Sequence, residues 1–136
     1  MFHRAIAHEQ MREISAFLRS TLPVTKLAIE MRADKHGEFG VRGSYEGVSG
    51  GGKFTARESH MLGWEGEYDD LQLVPLEHEL VWMEKFKNIQ EGVRGATGGR
   101  FTVTEQADRR FGFAKQIGID ASLEAMHKLT VMVEFG

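Results

Sequence analysis

The spacing of apolar residues changes several times along the chain, and each period predicts an element. Ala7, Met11, Ile14, Leu18 and Leu22 recur at helical intervals, so residues 3–20 are expected to form a helix with one apolar stripe. Thr21-Leu22-Pro23 ends it, because a residue before proline avoids the α region. Leu27, Ile29 and Met31 then alternate with Lys26, Ala28, Glu30 and Arg32, the pattern of a half-buried strand. Residues 33–37 carry turn chemistry, and Phe39, Val41 and Tyr45 alternate again, so the two runs predict a β-hairpin. Glu46 to Gly52 reads as a flexible glycine-rich loop, followed by a short strand at 53–56.

From 61 to 69 the even positions hold Leu62, Trp64, Gly66 and Tyr68, and the odd ones Glu65, Glu67 and Asp69. A strand here places three carboxylates on one face and the aromatics on the other. Pro75 suits a first helical turn, and Leu76, Leu80, Met83 and Phe86 continue at helical spacing to about Gln90, until Gly92 and Gly95 interrupt. GATGGR at 95–100 is a second glycine-rich loop. Phe101 and Val103, then Phe111, Phe113 and Ile117, predict a second hairpin turning at 106–109. Asp120 is placed to cap a short helix over 121–128, and Leu129, Val131, Val133 and Phe135 alternate as a last strand. No linker interrupts this order. The expectation is one α+β domain over 1–136, a largely antiparallel sheet with two to three helices packed on one face.

Charge changes the picture more than composition does. The 136 residues are 41% hydrophobic and 27% charged, ordinary for a globular chain, with a net charge of −3. That charge is unevenly laid out: residues 1–45 carry +2, residues 46–92 carry −6, and residues 93–136 carry +1. Residues 58–84 contain eight carboxylates and no Lys or Arg, and both tryptophans of the chain lie there. A surface of one sign concentrates partners of the other, and aromatic side chains supply anchor area. Trp64, Glu65, Glu67, Tyr68, Asp69, Asp70, Glu77 and Trp82 are therefore the candidate partner-binding residues, with the tryptophans and Tyr68 acting as anchors if exposed. The same segment repels phosphates, which argues against nucleic acid and for a basic protein partner. The competing reading is a solvated acidic face whose aromatics point into the core.

Candidate chemistry is sparse. The absence of Cys excludes disulfides, thiolate metal sites and cysteine nucleophiles. None of the six histidines has the i, i+4 spacing of a zinc-binding helix, and no G-x-S-x-G elbow occurs, so no metal, cofactor or catalytic residue is expected. Gly47 to Lys53 nearly fits a phosphate-binding loop, but Phe54 stands where a hydroxyl is required. No apolar run reaches 18 residues, which predicts no membrane span, and MFHRAIAHEQ has no signal-peptide core, so a cytoplasmic location is expected.

An opening amphipathic helix, the hairpin TKLAIEMRADKHGEFGVRGSYE, the helix VPLEHELVWMEKFKNIQ and the strand pair GGRFTVTEQADRRFGFA together resemble the layout of small bacterial immunity proteins encoded beside polymorphic or contact-dependent toxins. The resemblance carries over no functional residue. It implies a cytoplasmic, non-enzymatic inhibitor that plugs a toxin's active site, and nuclease toxins are often basic. Two other functions remain open: a small-ligand or nucleotide-binding protein using loops 47–53 and 95–100, and an oligomeric assembly protein whose sheet edges pair.

Overall fold

A computed structural model describes residues 2–33, 45–49, 51–58, 60–69, 71–108 and 126–136. Helix α1 (Phe2–Thr21) is followed by strands β1 (Val24–Ala33), β2 (Tyr45–Ser49), β3 (Gly52–Glu58) and β4 (Met61–Glu67). A 3-10 turn (Met83–Lys85), helix α2 (Lys87–Arg94), β5 (Arg100–Asp108) and β6 (Met126–Phe135) complete the described elements. The six strands form one antiparallel sheet in the order β2-β3-β4-β1-β6-β5, so the fold is α+β.

The apolar stripe of α1 is buried as its spacing implies: Ala7, Met11, Ile14 and Leu18 have no exposed surface. The helix ends where Pro23 removes a donor; Leu22 N donates to Leu18 O, and the Ser20 and Thr21 hydroxyls donate to Phe17 O. Alternation then decides the sheet. Leu27, Ile29 and Met31 of β1 share one face with Phe54 and Ala56 of β3, Leu62 and Trp64 of β4, and Leu129, Val131 and Val133 of β6. These residues and the α1 stripe form one core. His8 of α1 stacks on Phe54, and the α2 amides reach Glu105, buried on the inner side of β5. The other face alternates into solvent, as antiparallel sheets permit.

Several expectations change. Both edges of β1 are taken, by β4 and β6, so β1 does not form the expected hairpin with 39–45; residues 34–44 lie outside the described residues. The expected loop at 46–52 is instead a tight hairpin in which Ser49 pairs with Gly52. Gln106 to Asp108, expected in a turn, are strand residues opposite Lys128, His127 and Met126. Met126 to Lys128, expected in a helix, begin β6, and residues 109–125 lie outside the description.

The helix expected from Pro75 to Gln90 is the largest correction. Residues 71–82 form neither helix nor strand, and helical structure waits until Met83 and Lys87. Two distant carboxylates explain this. In a continuous helix the Trp82 N–H would donate to the His78 carbonyl. Instead Trp82 N and Met83 N donate to Glu13 Oε1 of α1, at 2.7 and 3.0 Å. Asn88 N and Ile89 N donate to Glu105 Oε2, at 2.9 and 3.2 Å, so a carboxylate from β5 caps α2.

Candidate functional site

Four of the described carboxylates of the acidic middle lie in two places: Glu65 and Glu67 on the open face of the sheet, and Glu77 and Glu79 on the segment that runs along α1. Glu65 and Glu67 are exposed on the open face, alternating with buried Trp64 and Gly66. Their cross-strand neighbours are basic: Glu65 stands opposite Lys53, and Glu67 opposite Lys26. The row continues through Glu134 to Arg100, so Glu67, Lys26, Glu134 and Arg100 alternate in sign across four strands. Lys53 forms its ion pair with Glu46 of β2, at 3.0 Å. Opposite charges facing each other across strands contribute about 0.2–1 kcal/mol per pair. This face is thus a balanced charge lattice, and Glu65 and Glu67 do not sit in a uniformly acidic surface.

The anchors expected of the tryptophans point inward. Trp64 is 1% exposed and Trp82 3% exposed, and both belong to the core. Neither meets the condition of exposure on which its partner-binding role rested. The reason for Trp64 is local: its indole lies over Gly52, where an added Cβ would fall 2.1 Å from Cζ2. Gly66 likewise leaves room for the Tyr68 ring, whose hydroxyl would stand 2.3 Å from an added Cβ. Tyr68 is half-buried with the Arg19 guanidinium 3.9 Å above its ring. The Trp64 and Trp82 indole nitrogens and the Tyr68 hydroxyl are buried with no hydrogen-bond partner among the described protein groups. Asp69 is exposed just beyond β4, and Asp70 lies outside the described residues.

Glu77 leads to the second group and to residues that sequence reasoning missed. The segment from Leu71 to Val81 runs back along α1 as a strap. It is pinned at one end by Val74 N donating to Arg19 O, and at the other by Trp82 N on Glu13. The pins are six residues apart on α1, about 9 Å of helix rise. The eight Cα-to-Cα steps from Val74 to Trp82 are able to span about 26 Å when extended. The slack bows away from the helix and leaves a cavity of about 590 Å³ between α1 and the strap. Trp64 forms part of its wall, with Ala16 and Arg12 from α1 and Leu76, Glu77 and Glu79 from the strap. The strap exposes Leu71 (57%), Leu73 (53%), Val74 and Leu76 (44%), of which Val74 and Leu76 also line the cavity. The signal for this was present as Leu71-Gln72-Leu73-Val74-Pro75-Leu76, a dense apolar run without helical or alternating period, broken by a proline.

Burial raises the Glu13 carboxyl above the usual carboxylate range, although the Met83, Trp82 and Val81 amides pull the other way, and Glu9 nearby adds to the rise. Glu105 is raised by the same cause against the Ile89 and Asn88 amides. Both are structural caps.

The glycine-rich loops do not combine. Gly47 to Lys53 is a β-hairpin with no helix after it, unlike a phosphate-binding loop. Residues 95–100 enter β5, four strand spacings or about 19 Å from β3 across the sheet. Among the described residues there is no group of three or more metal-ligating side chains, and no helix is long and apolar enough to cross a membrane. Comparison with protein-family models, with curated proteins and with solved structures finds no match.

Proposed function

We propose that the chain is a non-enzymatic protein-binding module of the toxin-neutralising immunity kind, acting in the cytoplasm on a basic, nuclease-type toxin. The docking surface is the strap, with Leu71, Leu73, Val74 and Leu76 as apolar contacts and Asp69, Glu77 and Glu79 as the acidic border. One observation carries this reading: four large apolar side chains within six residues stay exposed beside a formed core. Contiguous apolar exposure rimmed by charge marks interaction sites on soluble proteins. The border favours a basic partner and speeds its encounter. Glu65 and Glu67 lie on the open sheet face, each opposite a lysine in register, and this reading leaves them outside the docking surface.

The test is genetic. The reading frames flanking this gene are expressed singly, and any that arrests growth is co-expressed with this chain. Wild type is expected to restore growth, and a Leu73→Asp/Leu76→Asp variant with native circular dichroism is expected to fail. A variant that rescues as well as wild type, or a wild type that relieves no flanking toxin, contradicts the proposal.

A further inference from the structure

The cavity beneath the strap shares Leu76, Glu77 and Glu79 with the docking surface and adds residues of α1 to them. Four carboxylates line it: Glu9 and Glu13 from α1, Glu77 and Glu79 from the strap. The two guanidiniums that also line it each lie over an aromatic ring, Arg12 at 5.9 Å from the centre of Phe54 and Arg19 at 3.9 Å from that of Tyr68. The lining is therefore net negative. Besides the charged groups and the polar Ser15 and His78, the wall is apolar, with Ala16, Leu76, Leu80, Val81 and the Trp64 indole. The volume of about 590 Å³ falls in the range of sites that hold small organic groups.

A net-negative lining with an apolar portion suits a cation on an aliphatic stem. A bound carboxylate would meet like charge, and an uncharged chain would draw nothing from Glu9, Glu77 and Glu79, whereas Glu13 already accepts from the Trp82 and Met83 amides. The acids approach from two sides, the helix and the strap. A compact ammonium with three rotatable donors accepts that arrangement, whereas a planar guanidinium needs its partners in one fork. The apolar wall covers a methylene stem while the head reaches the polar rim. We propose that this cavity is a socket for an alkylammonium group, supplied by a lysine side chain of the basic partner. This inference rests on the strap reading and names the group that anchors it.

The test uses the chain alone, with n-octylamine as the probe and octanoate and 1-octanol as comparisons, followed by titration calorimetry and by tryptophan emission, since Trp64 is in the wall. Octylamine is expected to bind saturably, and at least about tenfold more tightly than either comparison, as two or more added carboxylate contacts imply. Glu77→Gln/Glu79→Gln is expected to remove about a tenfold share of that affinity. Ala16→Phe, at an exposed helix position facing the cavity, is expected to abolish binding by filling it. Equal affinity for amine and alcohol, no saturable amine binding, or unchanged binding by Ala16→Phe would overturn the socket and leave the strap's growth-rescue result standing. A chain that binds octylamine but relieves no flanking toxin overturns the lysine as the source and keeps a small-amine site.

Discussion

Gly52→Ala offers the sharpest check of how the inner face is built. The new methyl would lie 2.1, 2.3 and 2.7 Å from Trp64 Cζ2, Cε2 and Cη2. Carbon atoms pack at about 3.5–4 Å, so the indole has to retreat by more than about 1 Å in a wall it shares with Phe54 and α1. Overpacking of this kind costs about 1–3 kcal/mol. The ceiling is loss of the tryptophan's packing, about 3–5 kcal/mol, which includes its edge contact with Phe54 at 4.5 Å. We expect about 3 kcal/mol, or roughly a 10 °C fall in Tm for a chain of this length. Urea unfolding followed by tryptophan emission and circular dichroism measures it. Two comparisons isolate the cause. An added Cβ at Gly47 meets nothing within 4 Å, so Gly47→Ala is expected to stay within about 1 kcal/mol of wild type. In a Trp64→Leu background the cost of Gly52→Ala should fall by at least about 1 kcal/mol, the coupling expected of residues in contact. Gly52→Ala within about 0.5 kcal/mol of wild type, with unchanged emission, refutes the packing argument.

Four further outcomes follow from the same geometry. The folded-state pKa of Glu13 is raised, so folding binds its proton more tightly and stability falls as pH rises from the ordinary carboxylate value through the raised one. Glu13→Gln keeps an oxygen for the Trp82 and Met83 amides, so it should stabilise the protein at pH 7 and lose that advantage near pH 4; an equal effect at both, seen in denaturant melts, contradicts this. Glu105→Ala strips the cap from α2 and should cost about 1–3 kcal/mol with faster amide exchange at Ile89, whereas unchanged exchange there counts against the capping role. Leu73→Ser and Leu76→Ser should each shift stability by less than about 1 kcal/mol, because about half of each side chain is already in water; a large loss would mean that the strap is packed. ATP and GTP should leave Tm unchanged, since the two glycine-rich loops lie apart, and a shift of several degrees with either revives the nucleotide-binding reading.

What could be read from the chain, and what could not, divides by the range of the forces. Period-based elements held wherever a face packs on the core: the α1 stripe, the alternation of β1, the acid-out and aromatic-in pattern of β4, and the last strand. The partners of β1 were not legible, because β4 and β6 satisfy its hydrogen bonds as well as a nearby hairpin would, and pairing choice depends on contacts distant in sequence. The helix expected at 75–90 failed for a related reason. Its amides are taken by Glu13 and Glu105, neither of which belongs to the segment. For the candidate site, the acidic middle was visible in composition, but composition does not say which side of a sheet a carboxylate occupies. A one-residue alternation sends Glu65 toward Lys53 and leaves Trp64 inside, while Glu77 travels with a strap no periodicity announces.

The most direct measurement compares the two groups of carboxylates in one experiment. Stopped-flow association of this chain with a toxin domain identified by the growth-rescue test is followed from about 20 to 200 mM salt, a range over which screening shortens markedly. Glu77→Gln/Glu79→Gln should slow association several-fold at low salt and flatten its salt dependence, whereas Glu65→Gln/Glu67→Gln should leave both near wild type. The reverse pattern would place docking on the open sheet face and contradict the strap.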